Sequence, residues 1–304
     1  MNKTITLILT GVFACNVAFS QDILAKGKEE FGKISSIEID GSFVDVYVRK
    51  GDKAVFEGII EGSGDEGDYV FEVNEYGDRV SIEVENRRRG SWGSYKLTKA
   101  RIDITLPDGV TLDIDNSSGD VFVSNMRNTR SEIKASSGDI TVKNIISNLE
   151  LSTSSGDIEV ENLVGDSDIR STSGDQSFSE TKGNITTEST SGNIRFETFE
   201  GDLRVEATSG DLYFRKGKGG LKARTTSGEI DGVYIEITKN TYFDSTSGNI
   251  EIDFENDVDE LSFDLKSSSG DLEIGSKSGE GRFIIDRGGF KVTGVSSSGD
   301  QEYE

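Results

Sequence analysis

Residues Ser152 to Asp175 read STSSGDIEVENLVGDSDIRSTSGD, so the phrase Ser-Gly-Asp appears twice, 18 residues apart, with a fainter Val-Gly-Asp copy midway. Extending outward, the glycines of Ser-Gly-(Asp/Asn/Glu) fall at 119, 138, 156, 174, 192, 210, 228, 248, 270 and 299. The centre keeps a strict 18-residue period that loosens toward the C-terminus, and Gly165, Gly183, Gly201 and Gly219 lie midway between neighbours. Self-similarity at a fixed short period is the signature of a solenoid, in which each repeat buries its apolar face only by stacking on the next.

The residues between the glycines supply the cross-section. Two positions after each glycine stand Val121, Ile140, Ile158, Gln176, Ile194, Leu212, Ile230, Ile250 and Leu272; four positions after stand Val123, Val142, Val160, Phe178, Phe196, Phe214, Gly232, Ile252 and Ile274. Polar residues such as Glu159 and Arg195 alternate with them, which is the period-2 pattern of a strand with one buried face. Before the glycines, Leu112, Leu149, Ile185, Leu203 and Leu221, and two residues later Ile114, Leu151, Ile169 and Val205, repeat the pattern. The expectation is an all-β, parallel β-solenoid (β-helix) with about 18 residues per coil in two nine-residue half-coils, each sheet covering the other.

In that reading the column Gly119, Asp120, Gly138, Asp139, Gly156, Asp157, Gly174, Asp175, Gly192, Asn193, Gly210 and Asp211 is a structural turn. Glycine suits a corner where backbones stack closely or φ is positive, and Asp or Asn beside it can hydrogen-bond its own turn. Carboxylates about 4.8 Å apart repel by roughly 1 kcal/mol in water, so the column is costly unless hydrogen bonds, salt or a cation offset it. A calcium β-roll is the alternative, but it uses a different spacing of Gly and Asp, and one carboxylate per rung falls short of the six to eight oxygens calcium takes.

Three segments make up the chain: 1–20, a signal peptide; 21–110, a β-rich N-terminal cap continuous with the repeats; and 111–304, the Ser-Gly-Asp repeats. MNKTITLILTGVFACNVAFS has a basic residue, an apolar run and a small-x-small site at Ala18-Phe19-Ser20, so the protein is expected to be exported to the periplasm, cell envelope or beyond. A lipid anchor on Cys15 is the alternative. The longer last coils, with SGEGRFIIDRGGF as an insertion, are expected to cap the other end.

Composition narrows function. The 304 residues include no histidine and one cysteine, which removes Ser-His and Cys-His catalysis and any thiolate metal site in the body. Formal charge is −23, or −24 once Lys3 leaves with the leader, so nucleic acid is excluded as a natural partner. No cofactor is expected beyond the calcium alternative. The single basic cluster is RRRGSWGSYK, where Arg87, Arg88, Arg89, Trp92, Tyr95 and Lys96 form a candidate site for an anionic glycan or lipid head group. Its other reading is a long hairpin loop whose charges pair with neighbouring acids. A carboxylate-dependent polysaccharide enzyme is the alternative activity, though acid pairs are unavoidable in so acidic a repeat.

The run LPDGVTLDIDNSSGDVFVSN, followed by recurring SSGDI and TSGDL, resembles the bacterial putative-adhesin family of β-strand-repeat domains of unknown function, from about Ile37 to the end. The resemblance implies an exported β-solenoid of the cell envelope, with no established enzymatic activity and no catalytic residues to carry over. The function it implies is that of an adhesin or envelope scaffold, with a cell-surface glycan or an envelope protein as partner.

Overall fold

Strand alternation written in the sequence becomes strand alternation in space. A computed structural model describes residues 3–6, 22–87 and 96–304, so Arg88 to Tyr95 lie outside the described residues. About three quarters of what it describes is β-strand, with a single 3-10 turn at Val258–Glu260 among the described residues. The chain divides into two units, Met1–Val142 and Lys143–Glu304.

In the first unit, β1 (Lys3–Thr6), β2 (Asp22–Phe31), β3 (Ser36–Ser42), β4 (Asp45–Lys50), β5 (Ala54–Gly62), β6 (Tyr69–Tyr76), β7 (Arg79–Asn86), β8 (Leu97–Leu106), β9 (Thr111–Asn116), β10 (Val121–Ser124) and β11 (Arg127–Ala135) form two series of paired strands. One runs β1-β6-β7-β3-β9-β11, antiparallel through β7 and parallel beyond it. The other runs β2-β5-β8-β4-β10, antiparallel through β8 and then parallel. Apolar residues of both series meet, as where Phe56 of β5 packs edge-on to Phe71 of β6 at 5.4 Å.

The second unit uses the parallel pattern alone until its end. After β12 (Ile140–Thr153), the strands β13 (Ile158–Val164), β15 (Gln176–Lys182), β17 (Ile194–Glu200), β19 (Leu212–Gly219), β21 (Ile230–Ile237) and β23 (Ile250–Phe254) pair in order. So do β12, β14 (Ser167–Ser173), β16 (Ile185–Ser191), β18 (Leu203–Ser209), β20 (Leu221–Ser227) and β22 (Thr241–Ser247). Register partners such as Ile158 and Gln176, or Leu203 and Leu221, are 18 residues apart. Inward columns read from the sequence are buried, including Ile158, Val160, Ile194, Phe196, Ile169 and Val205.

Strands β13, β15, β17, β19 and β21 each carry a left-handed residue partway along. Asn162, Glu180, Thr198, Lys216 and Tyr234 all have φ between 52° and 59°, and Asn125 and Asn144 match them. The left-handed residue reverses the in-out alternation, so the next side chain again points inward: Leu163, Thr181, Phe199 and Ile235 are buried. Where Phe199 is large, the residue 18 positions on is Gly217, and a Cβ there would lie closer than 3.0 Å to three atoms of the Phe199 ring.

The C-terminal coil is out of sequence order. β26 (Lys291–Ser298) pairs with β22 on one side and β24 (Ser262–Ile274) on the other, while β27 (Gln301–Tyr303) lies between β23 and β24. Its Tyr303 is fully buried and donates to Gln301 Oε1 at 3.2 Å. Gly294 leaves the room, since a Cβ there would collide with the Tyr303 hydroxyl and with Gln301 Oε1. The insertion segment forms β25 (Lys277–Ile285), which turns back antiparallel on β24.

Candidate binding surfaces

The Ser-Gly-Asp column has its geometry in the second unit. Backbone N–H groups of Asp175, Asn193, Asp211 and Glu229 donate to the Oδ1 of Asp157, Asp175, Asn193 and Asp211, each 18 residues earlier, at 2.8–2.9 Å. The side chain therefore satisfies the next coil rather than its own turn as expected, because a stacked neighbour brings an unused amide within reach. The own-turn bond is made instead by a hydroxyl three residues before the glycine, as Ser171 to the Gly174 carbonyl at 3.2 Å. The midway column repeats the device through Asn148, Asp166, Asn184 and Asp202. In the first unit Asp120 and Asp139 are held by Asp45 and Asp120. Gly192 is glycine for clearance: a Cβ there would collide with the Gly174 carbonyl. Gly183, at φ 140°, needs the conformation as well.

Gln176, which interrupts the apolar column, is buried and donates to Ser171 Oγ at 3.0 Å and the Glu188 carbonyl at 2.9 Å, while accepting from Thr187. It is a satisfied core amide. Among the described residues, no three carboxylate, histidine or cysteine side chains come together to hold a metal ion.

Of the basic cluster, Arg87 and Lys96 are described. Both attach to the segment between β5 and β6: the Arg87 amide donates to the Asp68 carbonyl at 2.8 Å and the Lys96 amide to Ser63 Oγ at 3.0 Å. The Arg87 guanidinium is held by Glu85, at 2.8 Å, and by Glu72, and these bonds push its pKa up. Arg88, Arg89, Trp92 and Tyr95 lie outside the described residues.

A surface that the sequence reading did not single out lies on the outward face of β10-β4-β8-β5-β2. Register places Phe122, Tyr47, Asp103, Glu57 and Lys28 side by side across five strands. Tyr47 stacks on Phe122 with ring centroids 4.6 Å apart and planes within 10°. On its other face the Arg101 guanidinium lies 3.7 Å from the ring centroid. Arg101 in turn grips Asp103 through two bonds, one of 2.7 Å, and this pushes its pKa up. Burial, then the Asp45 charge, raises the Tyr47 phenol, so it stays protonated as both donor and acceptor.

Beside this stack opens a groove of about 400 Å³ lined by Lys28, Glu30, Arg49, Val55, Glu57, Arg101, Asp103 and Thr105. Its acids are committed: Glu57 to Lys28 at 2.5 Å, Glu30 to Lys53 at 2.5 Å, and Asp103 to Arg101. Arg49 is exposed and makes no ion pair with any described residue. The groove thus offers fixed polar edges and an uncommitted guanidinium, and it shares Arg101 with the aromatic stack. The sequence carried one signal, aromatic residues at the polar-face positions of DVYVRK and VFVS, but only register sets them beside Arg101.

The fold defines an all-β, solenoid-like repeat protein. The chain belongs to the Toastrack DUF4097 family, whose profile matches residues 34–215 and again 198–301. Similar solved structures include a putative adhesin from Bacteroides fragilis NCTC 9343, at 12% identity and TM-score 0.40, covering 94% of this chain and 98% of the other. A putative adhesin from Parabacteroides merdae ATCC 43184 has 12% identity and TM-score 0.36, covering 92% and 95%. A putative lipid binding protein from Parabacteroides distasonis ATCC 8503 has 11% identity and TM-score 0.30, covering 91% and 96%. No curated protein matches the chain.

Proposed function

We propose that the chain is a non-catalytic, exported β-solenoid of the cell envelope that binds a surface glycan, in the manner of an adhesin or envelope scaffold. Its repeats are read as coils of about 18 residues in two half-coils, with residues 21–110 as the N-terminal cap and 1–20 as a cleaved leader. The observation that carries the binding reading is the groove beside the Phe122–Tyr47–Arg101 stack, where paired charges fix the polar edges and Arg49 is left for a ligand acid. Sugar hydroxyls suit fixed Asp, Glu, Arg and Thr groups, and a uronate or sulfate suits Arg49. The Arg87–Lys96 loop is the second contact in this reading. Calcium is not required, since the Oδ1 atoms of the Asp ladder already serve backbone amides.

The test is titration of the mature protein with acidic and neutral oligosaccharides. Binding to an acidic glycan is expected to fall at least tenfold in Arg49→Ala and Arg101→Ala. A separate Arg88→Ala, Arg89→Ala, Trp92→Ala variant reports on the loop. Affinity unchanged in all three would refute the assignment.

One observation favours an enzymatic reading. On the outward face of β3-β9-β11, Asp113 lies between Glu38 and Glu132 in register. Burial, then the charges of Glu132 and Glu38, raises Asp113, while a bond from Lys134 lowers Glu132. Carboxylates driven apart in this way are how hydrolases separate acid from base. Reducing-sugar release from a glycan panel, abolished by Asp113→Asn, would establish that activity in place of simple binding.

A further inference from the structure

Strand β6 has one edge fully used and one edge borrowed. Toward β7 it pairs along its whole length, from Tyr69 opposite Asn86 to Tyr76 opposite Arg79. On its other edge, among the described residues, it pairs with β1 alone: Lys3 opposite Glu75, Thr4 opposite Asn74, Ile5 opposite Val73 and Thr6 opposite Glu72. Those four residues fall inside the leader that the export reading removes. We propose that in the mature chain this edge of β6 receives an extended, basic segment of another polypeptide by antiparallel strand addition, a proposal that rests on the export reading.

The physical case begins with the edge itself. An uncovered edge presents a row of unpaired N–H and C=O groups, and proteins that keep such an edge monomeric blunt it with Pro, Lys or a bulge. YVFEVNEY has no Pro, no Lys and no Gly, and its pairing with β7 runs without a register shift. Tyr69, Val70, Phe71 and Val73 are buried, so the strand is held in place as a template. Its charges are Glu72, which already holds Arg87, and Glu75, and the segment seated on it sets a lysine opposite Glu75 and an apolar residue opposite Val73. A second copy is a poor occupant, because antiparallel self-pairing would bring two chains of charge −24 together, −23 less the leader's one lysine. A basic strand answers both the hydrogen-bonding row and the charge.

The experiment uses the exported protein, with its N-terminus read by intact mass, and the uncleaved chain. Amide exchange across Tyr69–Tyr76 is expected to be at least tenfold faster in the chain that starts at Gln21. A synthetic peptide of residues 2–8, Asn-Lys-Thr-Ile-Thr-Leu-Ile, is expected to restore protection there, and its Lys3→Glu version to bind about fivefold more weakly. Retention of residues 1–20 on the exported protein would overturn the cleaved-leader reading and, with it, the open edge of β6. A confirmed Gln21 start with no protection by the peptide would overturn the strand-addition site. Equal binding of both peptides, or concentration-dependent protection without peptide, would overturn the basic partner in favour of an uncharged strand or a second copy.

Discussion

Gly217 and Phe199 give the most direct test of how this core is packed. The ring of Phe199 occupies the space that a Cβ at Gly217 would need, with Cζ, Cε1 and Cε2 all inside 3.0 Å. That ring is held edge-on to Phe196 at 6.0 Å and to Phe214 at 6.3 Å, so it cannot retreat without moving both. Overpacking of this kind costs about 1–3 kcal/mol, while removing a strand glycine returns roughly 0.5–1 kcal/mol. Gly217→Ala should therefore destabilise by about 1–2 kcal/mol. Phe199→Ala should cost about 3–5 kcal/mol, as large-to-small core changes do. In that background the obstruction is gone, and Gly217→Ala should be neutral or stabilising by about 0.5–1 kcal/mol. Urea unfolding of the four proteins gives the cycle, with an expected coupling of about 2 kcal/mol. Additivity within about 0.5 kcal/mol would show that the ring does not fill the glycine's space and refute the packing account.

Asp175→Ala should destabilise by about 1 kcal/mol, because the Asn193 amide loses its acceptor; Asp175→Asn should stay within about 0.5 kcal/mol, since Asn193 does the same work for Asp211. Urea midpoints compare the two. Full burial drives the Tyr303 phenol far above its usual range, so the native state keeps a proton that the unfolded chain releases above about pH 10. Its contribution is therefore complete below pH ~10 and falls by about 1.4 kcal/mol per pH unit above it, and Tyr303→Phe should flatten that alkaline loss in pH-dependent melting. Glu302 is raised by burial and then by Glu304, Glu251 and Glu273, so it favours the fold when protonated and loses that as pH rises through the carboxylate range. Glu302→Gln should raise the Tm at pH 7 and leave it little changed at pH 3, as read by calorimetry.

Much of the architecture is legible from one repeat. Alternation around Ile158, Val160, Ile169 and Leu151 assigns the inward faces, and all four are buried. The left-handed corner was hidden because its residues are Asn, Glu, Thr, Lys and Tyr in successive coils, and only the three asparagines hint at it. There the conformation is imposed by the need to turn the next side chain inward, against an intrinsic cost of about 1–2 kcal/mol. Likewise the aspartates of the repeat are visible in the sequence but the amide they serve is not, since turn chemistry is local and the partner is 18 residues away.

The sequence by itself determined the period, the two buried strand faces and the acidic, histidine-free surface, because those depend on side-chain type at fixed spacing. Tertiary structure decided the rest. Backbone ladders accept any side chain, so SGD spacing alone does not order the last coil between β22 and β24, where the Tyr303 ring lies against Phe243, Phe254 and Phe263 of the neighbouring strands. The row of Phe122, Tyr47, Asp103, Glu57 and Lys28 likewise exists only through cross-strand register, which joins residues as far apart as 28 and 122.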